Sequence, residues 1–188
     1  MLPLLLLPMV VEGACAQVAT ADPSAWRPLS YADLQHPAPE ALTYADVWHD
    51  AILENNQAYA ARGDHRYAAE NAPATEGHFV IWSPRKSVVL SVLDTATACT
   101  LKLVRTSVQA TVKMCPMRVA IYEGALVRTL DAGRGCYLEL ASPQAGENPH
   151  RAAAYAAYDP TTRTLSTGLV IEHEAVDGCS QKIPLPSG

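Results

Sequence analysis

The five cysteines are the residues of this chain whose type and spacing indicate a chemical role most clearly. Cys15 follows an apolar run near the N-terminus, whereas the other four all lie after residue 98. An even set of cysteines is typical of disulfide-bonded proteins in oxidising compartments. Structural zinc sites and redox-active disulfides usually use closely spaced Cys-X-X-Cys pairs, and this spacing does not occur here. The sequence therefore predicts two disulfides.

Four cysteines allow three pairings, and their order along the chain does not choose among them. We favour Cys99 with Cys115 and Cys136 with Cys179. The first pair would close a hairpin centred near Ser107, in which the two cysteines fall roughly opposite each other. The second pair would tie the C-terminal tail to the sheet.

The register of this hairpin is left open between two alternatives. Placing Cys99 opposite Cys115 sets Leu101 across from Lys113, whereas a slip of one residue would match Leu101 with Val112. Both registers hold together only if the strand contains a bulge. Pro116 favours an irregular backbone at that point.

A weak candidate for metal binding lies at the start of a predicted helix. Asp46 and His49 are three residues apart, so one face of the helix could present both to an ion, with Asp50 beside them. A solvated helix face explains the same residues equally well. No metal site is therefore assigned.

The sequence contains no catalytic or cofactor-binding motif that would favour an enzyme. Nucleophilic catalysis needs a serine or cysteine activated by a base, and neither Gly-X-Ser-X-Gly nor Ser-X-X-Lys occurs. Two carboxylates facing each other could hydrolyse a glycoside, and Glu123 and Glu139 are possible members of such a pair. Walker loops, the dinucleotide glycine fingerprint and a haem-attachment motif are absent from the sequence, so we expect no cofactor. Three serines have no context that distinguishes them: Ser91, Ser107 and Ser142.

One helix precedes a long series of strands. Thr43 can cap the helix, Asp46 lies in its first turn, and Gly63 follows as a stop. From Gly77 onward, apolar runs alternate with turn residues. The predicted strands are 78–82, 87–93, 97–104, 108–114, 117–122, 125–130, 136–141, 152–158 and 163–172.

The short connections between these strands predict antiparallel hairpins, because parallel strands need crossovers of a dozen or more residues. We therefore expect a mainly β (α+β) fold: an antiparallel β-meander, sandwich or partly closed barrel with one N-terminal α-helix. Alternation with polar residues selects a core. The expected core residues are Val80, Trp82, Val89, Leu93, Leu101, Leu103, Val119, Ile121, Leu138, Leu140, Leu165, Leu169 and Ile171.

The N-terminal region resembles an export signal followed by an arm. An apolar run over residues 2–11 precedes Ala14-Cys15-Ala16, which predicts cleavage after Ala16 and a signal peptide over residues 1–16. Lipidation of Cys15 is the alternative. Residues 17–42 contain several prolines and predict an extended arm, which leaves residues 43–188 as one β-rich domain.

The arm carries four large side chains: Trp26, Leu29, Tyr31 and Leu34. Exposed apolar side chains on an extended segment favour packing, either on its own domain or on a partner. We predict that these four residues bind a partner protein. This interpretation favours an interaction role.

Charge and localisation restrict the function further. The formal net charge of −5 argues against nucleic acid as a partner, because phosphate binding depends on clustered cations. No second long apolar run follows the signal, so no membrane span is predicted. We expect a periplasmic, non-catalytic accessory subunit of a larger envelope protein or complex. The alternatives are a periplasmic small-ligand-binding or inhibitor-type domain and a small secreted hydrolase.

Overall fold

The structure is a computed structural model that describes residues 26–64, 66, 71–104, 110–139 and 152–186. This part of the chain contains one α-helix, α1 (His49–Ala61), preceded by a 3-10 helix over Ala45–Trp48. The strands are β1 (Arg27–Pro28), β2 (Ser30–Asp33), β3 (Ala74–Trp82), β4 (Ser87–Thr95), β5 (Thr100–Lys102), β6 (Thr111–Glu123), β7 (Leu126–Glu139), β8 (Ala152–Asp159), β9 (Thr164–Ile171), β10 (Glu174–Ala175) and β11 (Gln181–Pro184).

The strands form two antiparallel sheets. Sheet A has the order β1-β8-β9-β10, with β11 also paired to β9. Sheet B has the order β2-β3-β4-β6-β5, with β7 on the other edge of β6. Neither sheet closes into a barrel within the residues described above. The predicted mainly β, antiparallel fold with one N-terminal helix is confirmed.

Two apolar clusters place the sheets and the helix in three layers. The larger cluster joins Leu90 and Val119 of sheet B to Ala156 and Leu169 of sheet A, so the sheets form a sandwich. The smaller cluster packs Trp48, Val47 and Ile52 against the outer face of sheet B. Strand β4 is consequently buried on both faces, which explains its nearly continuous run of apolar residues.

Several core predictions were wrong at strand ends and on the short edge strand β5. Trp82 is 66% exposed, Leu101 is 66% exposed and Leu103 is 90% exposed. Trp82 is the last residue of β3, and Leu103 follows the end of the three-residue β5, so the covering layers do not reach them. Val80 is half-buried. Leu140 lies outside the described residues, and the other predicted core residues are buried: Val89, Leu93, Val119, Ile121, Leu138, Leu165, Leu169 and Ile171.

The helix starts differently from the prediction. Thr43 does not cap it, because a 3-10 turn precedes α1 and no side chain of the segment itself caps either helix. Instead, the Tyr44 amide donates a 2.7 Å hydrogen bond to Oε1 of Glu76 on β3. A carboxylate from the sheet thus satisfies a backbone donor next to the helical segment, and a local pattern cannot show this.

The C-terminal end of α1 agrees with the prediction. Gly63 donates to the Ala60 carbonyl (2.9 Å) and Asp64 donates to the Tyr59 carbonyl (3.1 Å). These bonds satisfy carbonyls that the end of a helix leaves free.

No helix in the described ranges is long and apolar enough to cross a membrane.

Two predicted strand breaks do not exist. β6 continues through Pro116, and β7 continues through the break predicted between residues 130 and 136. The register between these strands shifts between Pro116 and Arg118, which marks a β-bulge in β7. Gly133 has a φ of +79° and its amide donates to Asp131 Oδ1 at 2.7 Å. The glycine therefore marks a bulge and not the end of a strand.

The segment predicted as an arm enters both sheets. Arg27–Pro28 pairs with β8 in sheet A, and Ser30–Asp33 pairs with β3 in sheet B. Leu29 lies at the crossing between them, where its amide donates to the Ala154 carbonyl. Of the two alternatives for this segment, the described part packs on its own domain.

Both disulfides connect the pairs that we favoured. Cys99 is bonded to Cys115, and Cys136 is bonded to Cys179. The register opposite β5 sets Leu101 against Lys113, which is the alternative expected when Cys99 lies opposite Cys115. The first bridge lies within sheet B, whereas the second joins β7 to the segment between β10 and β11.

Candidate functional site

A buried polar cluster lies between the helix and sheet B. Trp48 Nε1 donates to Ser91 Oγ at 2.7 Å, and Ser91 Oγ donates to Glu76 Oε2 at 3.3 Å. All three side chains have no exposed surface. Burial of a carboxylate is costly unless hydrogen bonds compensate it. These contacts, together with the bond from the Tyr44 amide, provide that compensation.

His78 extends this cluster toward the surface. It lies directly across from Ser91 on the neighbouring strand, and its Nδ1 is 3.4 Å from Glu76 Oε1. The two atoms are close but not in hydrogen-bond geometry, and no described residue forms a hydrogen bond with this buried nitrogen.

Ser91, His78 and Glu76 are the residue types of a hydrolytic triad, but their arrangement does not suit one. A serine nucleophile needs its hydrogen bonded to the imidazole and its oxygen open to substrate. Here Ser91 bonds to Glu76, and Trp48 covers it from the helix. This cluster therefore holds the helix on the sheet and offers no accessible nucleophile.

Arg118 attaches the start of the helix to sheet B. Its guanidinium donates to both carboxylate oxygens of Asp50 (2.5 and 2.7 Å) and to the Val47 carbonyl (2.6 Å). It also lies 4.6 Å from the centre of the Trp48 ring. The hydrogen bonds from Arg118 lower the pKa of Asp50 from 3.8 to about 2.

Replacing Arg118 with glutamine should return the pKa of Asp50 toward its ordinary value. A carboxylate whose pKa is lowered by folding stabilises the protein above its unfolded pKa, and this contribution is lost as pH falls from about 4 through about 2. Because the Asp50 side chain is 68% exposed, the contribution should be only about 0–1 kcal/mol. A carboxyl NMR titration of both proteins measures the change.

Arg128→Gln is the matched control for this titration, because Arg128 is also an arginine of sheet B but its ion pair is with Glu123. The Asp50 midpoint should be unchanged in this variant. An unchanged midpoint in Arg118→Gln would contradict the assignment of the low pKa to the Arg118 contact.

The weak metal candidates lie close to this attachment point. Asp46 accepts a hydrogen bond from the Tyr122 hydroxyl (3.1 Å to Oδ2), whereas His49 is exposed at the first turn of α1. Burial, followed by the charges of Glu76 and Asp46, raises the pKa of Tyr44 to about 12. Asp46 therefore contacts a tyrosine, and among the described residues it does not form a set of three ligand groups with His49.

Among the described residues, a set of three potential ligand groups within 4.8 Å occurs at Asp94, Cys99 and Cys115. Both sulfurs belong to the same disulfide, so they cannot act as thiolate ligands. Asp94 instead forms a 2.8 Å ion pair with Lys113, which also lies 3.2 Å from Glu139. The set is therefore structural. The other carboxylate considered for glycoside hydrolysis, Glu123, pairs with Lys86 at 2.7 Å.

The four predicted partner-binding residues lie in different environments. Leu29 and Leu34 are buried in the two apolar clusters. Tyr31 is half-buried and its ring packs edge-on against Tyr137 at 5.4 Å. Trp26 is 56% exposed and its ring lies next to Gly168. Of the four, only Trp26 keeps most of its surface free for a partner.

A groove of about 390 Å³ runs along one edge of sheet B. Its wall includes the exposed side chains of Trp82 and Leu42, with His78 beneath them. Arg27 crosses from β1, stacks on the Phe79 ring at 4.5 Å and donates to the Val80 carbonyl at 3.1 Å. No acidic residue is among the described residues that line it. We refer to this feature as the β3 groove.

The sequence offered only part of the information needed to find the β3 groove. The alternating pattern predicts that Trp82 lies in the core, and no sequence signal distinguishes Arg27 or Leu42. Alternation along β3 could have placed Trp82 on the same face as His78 and Val80, but strand coverage depends on where β2 ends.

Comparisons with known protein families, curated proteins and solved structures find no match for this chain.

Proposed function

We propose that this protein is an exported, non-catalytic interaction protein of the bacterial periplasm, and that the β3 groove is its partner-binding surface. The observation that carries the proposal is the exposure of Trp82 and Leu42 on one groove beside an open strand edge. Tryptophan is enriched among the residues that dominate binding energy at protein interfaces. Two disulfides support export, because such bonds persist in oxidising compartments.

Two further cavities do not favour a ligand-carrier role. One, of about 610 Å³, lies at the surface beside the exposed residues Arg62, Gly63 and Arg66 and does not enclose a ligand. The other, near the end of the sandwich and lined by Ile81, Val88 and Leu185, has a volume of about 160 Å³. Small-molecule sites usually occupy roughly 300–1,000 Å³ and enclose most of the ligand. The β3 groove reaches that size, but its most prominent side chain, Trp82, is two-thirds exposed, which suits a larger partner.

The Trp82→Ala substitution should weaken partner association by about tenfold or more, because it removes a large apolar contact from the binding surface. Leu42→Ala should act in the same direction. The measurement is native purification of the tagged protein from the cell envelope of its source, with quantification of any polypeptide that travels with it.

Two matched controls separate this surface from the others. Leu53 is 46% exposed on the helix, and Leu53→Ala should leave association unchanged. Trp26→Ala tests the partner role predicted for the N-terminal segment, while β1 and β2 remain in place. Recovery of the wild-type protein as a lone monomer, or undiminished recovery of the partner with Trp82→Ala, would overturn the proposal.

A further inference from the structure

We propose that the β3 groove binds an extended peptide segment that carries a carboxylate, with the peptide pairing to the open edge of β3 and the carboxylate pairing with Arg27. This inference rests on the proposed function, because it specifies the chemistry of the partner at the same surface. It goes further in assigning backbone pairing and a charged anchor to that partner.

Among the residues that the structure describes, the edge of β3 is open because β2 ends early. β2 pairs with β3 over residues 75–78 only, whereas β4 pairs with β3 along its whole length to Trp82. Along a strand, the backbone groups of alternate residues point to the same edge. The Ala74 carbonyl accepts from the Leu34 amide on this edge, and the Val80 carbonyl accepts from Arg27. Val80 and Trp82 therefore direct their backbone groups to the open edge.

This edge has the geometry that β-strand addition requires. An added strand gains affinity from backbone hydrogen bonds, and its alternate side chains enter adjacent pockets. A peptide lying beside Val80 and Trp82 would continue the line of β2 beyond Ser30. Its side chains on the helix-facing side would contact Leu42 and Trp82, which are 50% and 66% exposed.

Arg27 indicates the charge of the partner. With respect to the described residues, its Nε is a buried nitrogen without a hydrogen-bond partner, and its Nη2 donates to a neutral carbonyl. Within the part of the chain that the structure describes, Arg27 forms no ion pair. An arginine beside an apolar groove is the typical partner of a carboxylate, which it can bind through two parallel hydrogen bonds.

The position of Arg27 also provides selectivity. While its guanidinium is bonded to the Val80 carbonyl, it blocks part of the edge of β3. Charged side chains at strand edges protect proteins against unspecific pairing with other strands. A partner that brings a carboxylate draws the guanidinium away and frees the Val80 carbonyl for backbone pairing. A neutral strand does not provide this exchange.

The test uses a surface-displayed library of random twelve-residue peptides, selected on the protein with both disulfides intact. Selected peptides are synthesised and their dissociation constants are measured by fluorescence anisotropy. We expect them to contain an acidic residue or a free C-terminal carboxylate. Replacing that carboxylate by an amide should weaken binding by about tenfold or more, and N-methylation of alternate peptide amides should also weaken it.

Arg27→Gln should cause a loss similar to that of the amide peptide, and combining the two changes should cause little further loss. Arg27→Lys keeps the charge and should recover part of the binding. The control, Arg128→Gln, changes an exposed arginine of β7 and should have no effect. The carboxylate-to-amide comparison uses the unaltered protein, so the test remains decisive even if Arg27→Gln folds poorly.

The failures of the two proposals are distinguishable. If no peptide is enriched, or if the selected peptides bind Arg27→Gln as tightly as the wild type, the peptide inference is wrong. If Trp82→Ala still loses its native partner in that case, the proposed function stands with a different class of partner. If Trp82→Ala retains the partner, the proposed function itself is wrong.

Discussion

Replacing Cys136 and Cys179 together with alanine should lower the free energy of unfolding by about 4 kcal/mol. The bridge joins residues 43 positions apart and connects β7 of sheet B to the segment that precedes β11 of sheet A. Without it, the unfolded chain gains the freedom that the closed loop had removed, and β11 loses its nearest covalent anchor. Urea unfolding of the purified proteins measures the difference.

The Cys99→Ala, Cys115→Ala double variant is the matched comparison. Its bridge spans 16 positions within sheet B, so the loss should be smaller, about 3 kcal/mol. Hydrogen exchange should show faster opening of β11 when the long bridge is removed and not when the short one is. A larger loss for the short bridge would show that strain or residual structure in the unfolded chain outweighs loop closure.

The Trp48→Ala substitution should lower the free energy of unfolding by about 3–5 kcal/mol. Trp48 has no exposed surface, donates to Ser91 and packs beneath the Arg118 guanidinium. Its removal leaves a cavity where the helical segment meets sheet B, and Ser91 loses a buried hydrogen-bond donor. The largest changes in hydrogen exchange should therefore lie in α1 and the preceding 3-10 helix.

Two variants separate the packing of Trp48 from its hydrogen bond. Trp48→Phe keeps most of the apolar contact and should cost less, with about 0.5–1.5 kcal/mol arising from the lost bond to Ser91. Trp82→Ala changes an exposed tryptophan and should alter stability by only about 0.5 kcal/mol or less. Equal losses for Trp48→Ala and Trp82→Ala would contradict the position of Trp48 in the inner layer.

The two ends of the Glu76-His78 stretch have different roles in this structure. Glu76 accepts bonds from the helical segment and the sheet, so its carboxylate contributes to the docking of the helix. His78 reaches the β3 groove, and the next outward-facing positions, Val80 and Trp82, form the open edge. The surface proposed to bind a partner therefore adjoins the buried polar cluster of Trp48, Ser91 and Glu76.

The sequence by itself determined the mainly β, antiparallel fold class, and it favoured the disulfide pairing that the structure shows. Turn residues and alternating apolar residues are local signals, and short connections impose antiparallel pairing. The spacing that placed Cys99 opposite Cys115 depends on one hairpin, so it could be read without knowledge of the remaining fold. Gly63 marked the end of the helix for the same local reason.

The tertiary structure alone decided which surfaces are covered. The 3-10 helix begins beside Glu76, whose carboxylate accepts from the Tyr44 amide. This residue lies on a strand 32 residues away in sequence, so no local pattern could show the contact. Trp82 is exposed because the layers that cover sheet B do not reach the end of β3, although its position in an apolar alternating segment predicts burial. Burial and the position of strand edges depend on long-range pairing. Residue periodicity shows only that one face of a strand is more apolar than the other.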